Sequence, residues 1–516
     1  MRNSREDAKK MTTSTVCITI TILVYLAGML WIGARFAKQN ESSSDFYLGG
    51  RKLGPLVTAM SAEASDMSSY LLMGLPGLAY LSGLADVGWT AIGLGLGTYL
   101  NWLFTARRIR RYTQITGAFT LPQFFSHRFH DRKHILSAIS AVIIIVFFIP
   151  YTASGFSACG KLFSSLFGVD YMGAMIVSAI VIVGYTAAGG FLAASVTDLI
   201  QSIIMTIAIL FVLIYATVQA GGLGAVMENA KALPGYLSFT STYTASGAAP
   251  YGFLTIVSTL AWGLGYFGMP HILVRFMAIR HEDELKLSRR IAASWVVISM
   301  AVAVFIGIVG HAVSNVGRIP ALEGSATETV IVRLADLLSS YGILPAVVAG
   351  CILAGILAAT MSTADSQLLA ASSAFSENVL QDLFGVKLTP KQNMLAARLT
   401  VVVIAFIAIF LAADPNSNVF KIVSFAWAGF GATFGPTMLC ALFWRRSNRQ
   451  GIMAGLIVGG VMIFVWKFLV APIGGIFNIY ELLPAFLCAL CAIVVVSLAT
   501  PAPEKEITDM FDSYNT

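Results

Sequence analysis

A chain of 516 residues that is 57% hydrophobic and only 11% charged, with a mean hydropathy of +0.79, cannot hide its apolar surface in a water-soluble core. It reads as an integral membrane protein whose solvent is the lipid bilayer. The net charge of +7 does not point to nucleic acid, because the basic residues fall in loops between apolar stretches.

Thirteen stretches come close to the roughly 20 apolar residues a spanning helix needs: 15–36, 54–83, 85–105, 135–158, 169–188, 191–218, 251–270, 289–314, 343–371, 395–413, 418–443, 451–471 and 482–499. The first lacks Ala-x-Ala-like cleavage chemistry behind it and reads as a retained span. The second carries Glu63, Asp66, a series of serines and a GLPG break at 74–77. In the third, GLGLG at 93–97 has neither the preceding strand nor the lysine of a phosphate loop, so it reads as helix packing. Arg107, Arg108, Arg110 and Arg111 follow that span. His127, His130 and His134 come next, among Arg and Lys, and read as a solvated interfacial helix in preference to a metal site. The sixth span carries Asp198, and the Gly-, Ala- and Ser-rich loop of about 220–250 follows it. Glycines and a proline weaken the seventh at 261–271 (AWGLGYFGMPH), and the ninth ends in AATMSTADSQL at 358–368.

Further basic groups follow the seventh span (Arg280, Lys286, Arg289, Arg290), the ninth (Lys387, Lys391) and the eleventh (Arg445, Arg446, Arg449). The positive-inside rule makes these loops cytoplasmic, with the N-terminus outside and the C-terminus inside; Arg2, Arg5, Lys9 and Lys10 pull the other way. The polar tail of 500–516 is expected to be disordered. The six cysteines have no metal spacing and read as buried core residues.

Lipid cannot satisfy free backbone groups, so a break at mid-depth survives only where protein, water or an ion completes its bonds. Carbonyls freed around 64–67 are oxygen ligands suited to a hard cation such as sodium. On the ninth span Ala359, Ser362 and Ser366 fall on one helical face with Thr363 beside them. A lone membrane serine more often bonds its own preceding turn. An intramembrane aspartate is different, costing at least about 2.5 kcal/mol and marking an ion path or a partnered site, which draws attention to Asp66, Asp198 and Asp365. Breaks in the second and seventh spans, five helices apart, are the pattern of an inverted-repeat transporter with its site near the midplane. No nucleophile elbow or zincin motif supports an enzyme.

Residues 46–51 (FYLGGR), 64–68 (ASDMS), 189–193 (GGFLA), 262–266 (WGLGY), 361–363 (MST) and 443–446 (FWRR) together resemble the sodium/solute symporter family, and within it the proline carriers. The resemblance implies a LeuT-like core of two inverted five-helix repeats that works by alternating access. The first repeat would cover 54–218 and the second 251–443. Around them lie an N-terminal segment with the first span (1–53), an extracellular loop (219–250), two added spans (444–499) and a cytoplasmic tail (500–516). It further implies sodium ligands in the carbonyls of Ala64, Met67 and Ala359 and the hydroxyls of Ser362 and Thr363. Asp66 matches the family's essential acid and Ser68 its neighbouring functional serine. Arg51 matches a residue of the cytoplasmic mouth, and Asp198 an acid on the sodium path. For L-proline or a similar small solute the resemblance points to Tyr151, Trp262, Tyr266 and Pro270; aromatic faces can cover a pyrrolidine ring and its cationic nitrogen. Asp365, Ser366 and Asp198 are expected to form a second cation site. Ser69, Tyr70 and Met269 depart from the proline-carrier pattern, leaving another amino acid, a sugar acid or a vitamin as alternative cargo. A membrane sensor built on a transporter fold is a rival from another class, and an intramembrane aspartyl hydrolase, which would require paired aspartates in a recognised motif, is a third.

Overall fold

The structure, a computed structural model, describes residues 2–37 and 43–515. It is almost wholly helical, as lipid demands of a chain that must satisfy every backbone group internally. The described strands are a hairpin, Ser241–Thr244 against Gly247–Pro250, in the loop between the sixth and seventh spans.

Among the described residues nine helices are long and apolar enough to cross a membrane, or ten with the bent pair Phe253–Gly268 and Pro270–Ala278. The expected count of thirteen is therefore not established by length and apolarity. The second, third and fifth spans are the difference. The second runs as Pro55–Ser69, a π turn Tyr70–Gly74 and Leu75–Ser82, with Ser68 left-handed at φ 51. The third is Leu84–Leu100 closed by a π turn, Asn101–Thr105. The fifth is the shorter apolar stretch Tyr171–Gly184, joined to the sixth within one helical run, Tyr171–Gln219, that breaks at Gly190. There φ is 68, a conformation glycine adopts without steric cost.

The seventh span breaks as its sequence predicts. A 3₁₀ segment, Ala261–Gly268, ends at extended Met269, and Pro270 opens the next helix, bent by 46°. A residue before proline is pushed out of the helical region, and proline itself suits the first helical position. The third and seventh spans meet through glycine: a Cβ on Gly97 would collide with the Gly263 backbone, and one on Gly93 with that of Leu260. GLGLG is a packing surface, as expected; small residues let membrane helices approach closely.

Most of the ninth span, Ile343–Ser373, is buried and packs against the first, second, fourth and sixth. Outside this core, Leu23, Trp31, Phe406, Phe410 and Leu469 face outward as an apolar belt. Two sequence expectations are corrected. The tail is a helix, Lys505–Asn515, with Phe511 and Tyr514 buried and the Tyr514 hydroxyl on the Ala441 carbonyl at 3.1 Å; its aromatic residues recur on one face, which polar composition alone conceals. Of the cysteines only Cys159 and Cys440 are buried, while Cys351 and Cys491 are exposed on apolar helices, because a residue at home in lipid need not be in the core.

Candidate ion and substrate site

The break at Ser68 leaves a short gap in the backbone ladder, and Ser68 fills part of it by accepting the Tyr70 N–H at 3.1 Å. One turn earlier the Ala64 carbonyl accepts the Ser362 hydroxyl of the ninth span at 2.8 Å. Ser362 and Thr363 each also lie 3.2 Å from the Ala359 carbonyl. Four of the five expected sodium ligands thus converge where the second and ninth spans cross. The Met67 carbonyl faces the Tyr70 N–H, and no hydrogen bond ties it to the ninth span among the described residues.

Asp66 is joined by two tyrosines. Tyr266 donates to its Oδ2 at 2.5 Å, and Tyr151 to its backbone carbonyl at 3.2 Å. The broken seventh span is held in register by Asn101, whose side-chain amide donates to the Tyr266 carbonyl at 2.9 Å, and by Trp427, whose indole donates to the Trp262 carbonyl at 2.8 Å. The Trp262 ring stacks on Tyr480 at 5.0 Å and on Tyr70 at 5.7 Å, with Phe420 also 5.7 Å away. Four sequence-predicted residues, Asp66, Tyr151, Trp262 and Tyr266, therefore share one buried region, and Pro270 opens the helix that follows it. Trp427, Phe420 and Tyr480 of this aromatic cage were not singled out from sequence, and Tyr70 only as a departure from the proline-carrier pattern. An aromatic residue in an apolar run carries no signal there of which neighbour it meets.

Asp198 accepts the Ser61 hydroxyl at 2.7 Å and pairs with Arg275 at 3.2 Å. The same Arg275 Nη2 donates to Ser366 at 2.5 Å, and Ser366 reaches Asp365 Oδ1 at 3.0 Å. The three residues expected around a second cation are thus brought together, with a guanidinium set between Asp198 and Ser366. Sequence reasoning missed Arg275. The available signal was a single arginine inside the apolar run that follows the seventh-span break.

A second buried ion pair also escaped it. Lys161 of the fourth span meets Glu328 at 2.6 Å and bonds the Ser417 carbonyl, while Glu328 Oε1 accepts the Phe420 N–H at 3.1 Å. Glu63, unexplained by sequence, is wholly buried and accepts the Trp102 indole N–H at 2.9 Å and the Thr98 hydroxyl at 3.1 Å. Arg51, at φ 56, donates to the carbonyls of Met277, Thr113 and Ala118 at 2.6, 2.9 and 2.8 Å. It ties together the segments at the arginine-rich end of the molecule. Nearby, hydrogen bonding by Arg111 holds the Glu282 carboxyl below the ordinary carboxylate range. The three histidines form no metal-holding group among the described residues.

This combination of two broken helices, an oxygen cluster at their crossing with the ninth span and a buried aspartate beside it meets a direct family match. The model of the sodium:solute symporter family matches residues 46–459. The chain belongs to that family. It is 43% identical to a sodium/proline symporter of Haemophilus influenzae over 500 residues, covering 96% of both chains. It is 41% identical to the sodium/proline symporter of Escherichia coli, covering 95% of both. The solved structure of a Na+-coupled sialic acid symporter, substrate-bound and outward-open, superposes with a TM-score of 0.78 at 19% identity, over 95% of this chain and 99% of that one. The fold is thus the LeuT-like architecture of a multi-pass transporter, and the chain is a symporter of this family, not an enzyme.

Proposed function

We propose that this symporter imports L-proline, driven by sodium entering down its gradient, through alternating access around the second and seventh spans. The observation that carries the reading is the set of neutral oxygens of Ala64, Ala359, Ser362 and Thr363, drawn together across the helix break beside Asp66. Carbonyl and hydroxyl oxygens replace the water shell of a hard cation, and Asp66 supplies the nearby negative charge. The sodium/proline symporters among its relatives, matched along almost their full length, support proline as the cargo. Sodium crossing about 100 mV and a tenfold gradient releases roughly 3.7 kcal/mol, enough for several-hundred-fold accumulation of the solute.

Met67 completes the sodium ligands when its carbonyl turns from Tyr70. Ser68, Tyr151, Trp262, Tyr266 and Pro270 line the solute, the aromatic rings covering the pyrrolidine and the freed helix ends meeting its carboxylate. At the Asp198, Asp365 and Ser366 cluster Arg275 already brings a positive charge, which favours one sodium per solute; a measured ratio of two sodium ions per proline would mean that the guanidinium moves aside for a second. Arg51 closes the cytoplasmic mouth. The N-terminus lies outside and the C-terminus inside: Ser14 bonds the Ser339 carbonyl at the end away from Arg51, whereas the C-terminal helix pairs Asp512 with Arg445 beside the basic loops. The proposed repeats remain 54–218 and 251–443, in a cell-membrane protein.

Equilibrium binding of labelled proline to the purified protein, with sodium or potassium and with competing amino acids, sugar acids and vitamins, tests the assignment. Proline should bind tightly only with sodium and resist the competitors. Stronger displacement by a different solute would reassign the cargo.

A further inference from the structure

The helix of the fourth span, Ile135–Phe167, and that of the twelfth, Arg449–Val465, both start at the arginine-rich end of the molecule. Asp131, just ahead of the fourth, pairs with Arg449 at the start of the twelfth at 3.0 Å, and farther along the rings of Phe147 and Phe464 stack at 5.9 Å. The two helices are therefore parallel and in register. Between those points they do not close. Ala138 and Gly460 are too small to fill the space, and a groove of about 390 Å³ runs between Ile139, Val142 and Val146 on one helix and Ile457, Val461 and Phe464 on the other. Val142, Val146, Ile457, Val461 and Phe464 are exposed, so the groove opens outward, on the side that meets lipid.

At the Asp131–Arg449 end lies a second cavity, of about 510 Å³, lined by His130, Arg132, Lys133, Arg449, Gln450 and Glu504 among others. Glu504 is the one carboxylate among the described residues that line it, and His130 has Glu506 3.7 Å away. Arg132 and Lys133 form no ion pair among the described residues. The wall at 501–504 is tied down. Asn448 is buried and its amide donates to Thr500 Oγ1 at 2.7 Å and to the Pro501 carbonyl at 2.9 Å, while Arg446 donates to the Thr500 carbonyl at 2.8 Å. Cavity and groove share a helix face: Gln450, Ile457, Val461 and Phe464 follow one another at seven, four and three residues, a single stripe of the twelfth span. From Gln450 to the start of the groove at Leu456 is about 9 Å, and from there to Phe464 about 12 Å, most of the roughly 15 Å of hydrocarbon in one leaflet.

Excess positive charge where two spans enter the membrane suits a phosphate diester, and an apolar channel leading inward from it suits hydrocarbon. A free anion would use the first and leave the second empty; a zwitterionic lipid would use the second and leave Arg132 and Lys133 without a net counter-charge. We propose that cavity and groove are one binding site for an anionic phospholipid, with the headgroup phosphate between Arg132, Lys133 and Arg449 and one acyl chain laid along the groove as far as the Phe147 and Phe464 rings. Lipid held there bridges the fourth span to the twelfth where their own side chains leave a gap. No residue assigned to sodium or solute takes part, so the site stands or falls independently of the cargo.

Native mass spectrometry of the purified full-length protein, titrated in detergent with phosphatidylglycerol or with phosphatidylcholine of the same acyl chains, tests the site. Phosphatidylglycerol should bind about tenfold more tightly or better. Arg132→Gln combined with Lys133→Gln should weaken it roughly ten- to thirtyfold and leave phosphatidylcholine unchanged, whereas Glu504→Gln should strengthen it. Val461→Trp, which fills the groove, should weaken both lipids, and inorganic phosphate should leave bound phosphatidylglycerol in place. Equal binding of the two lipids, or phosphatidylglycerol binding that the double variant leaves unchanged, would reduce the groove to ordinary bilayer contact and overturn the proposal. Displacement by inorganic phosphate would make the cavity a free-anion site and overturn it equally. Arg132 and Lys133 are exposed, and an unchanged unfolding temperature checks that the double variant folds; should it not, undiminished phosphatidylglycerol binding by Val461→Trp overturns the proposal.

Discussion

Ser362 has one hydroxyl proton and two carbonyls within reach, those of Ala64 and Ala359. In the proposed sodium site it would turn that proton aside and offer a lone pair, so that the same atom that ties two helices in the structure would become a ligand in the cycle. Bonds from neutral groups to a charge contribute about 1.5–3 kcal/mol, and tenfold in affinity is about 1.4 kcal/mol. Ser362→Ala or Thr363→Ala should therefore raise the half-saturating sodium concentration by roughly ten- to a hundredfold, with proline affinity at saturating sodium little changed. Unaltered sodium dependence of uptake would count against the site. Tyr266→Phe and Trp262→Ala should show the converse pattern, weakening proline about tenfold or more with a smaller effect on sodium. Competition binding separates the two classes. These hydroxyls were legible because serine and threonine at three- and four-residue spacing stand out in an apolar helix. Arg275 was not, since nothing local to its sequence names Asp198, 77 positions away, as its partner.

At the level of the helix, both functional breaks could be read from composition, and their form could not. Pro270 and its glycines forecast the bend in the seventh span. In the second the GLPG sequence looks like the breaker, yet the backbone departs from helix at Ser68 and continues through the proline. Serine at φ 51 is an uncommon backbone conformation that propensity does not foresee. The C-terminal helix is the clearest misreading, because a short amphipathic segment is marginal alone and gains its structure by docking. Tyr514→Ala should lower the unfolding temperature in detergent by a few degrees while leaving half-saturating sodium unchanged; a shift in sodium dependence would instead make this helix part of the transport machinery. The clamp between Arg111 and Glu282 carries its own signature. A carboxyl depressed by its partner stabilises the fold above its unfolded titration range, and that contribution fades as pH falls through the folded one. Glu282→Gln should hence be less stable than wild type near neutrality, with the difference shrinking in acid, as thermal unfolding across pH would report.

For the molecule as a whole, the class was written in the composition: so apolar a chain, only 11% charged, has to live in lipid. The number of crossings was harder, because the broken second span, the π-turned third and the short fifth are the segments that depart from a plain apolar helix. Function needs the interruptions, so the parts that do the work are those that hydropathy reads least well. The proposed assignment puts the ion ligands on the second and ninth spans and the solute contacts on the second, fourth and seventh, so that movement of one helix group against the other would change both sites together. That shared geometry is the proposed basis for coupling. Proline uptake into proteoliposomes under an imposed sodium gradient, with potassium replacing sodium in the control, tests this most directly. We expect accumulation above equilibrium only while sodium is higher outside, collapsing when the gradient is dissipated; equal accumulation without sodium, or none with it, would contradict sodium-driven proline import.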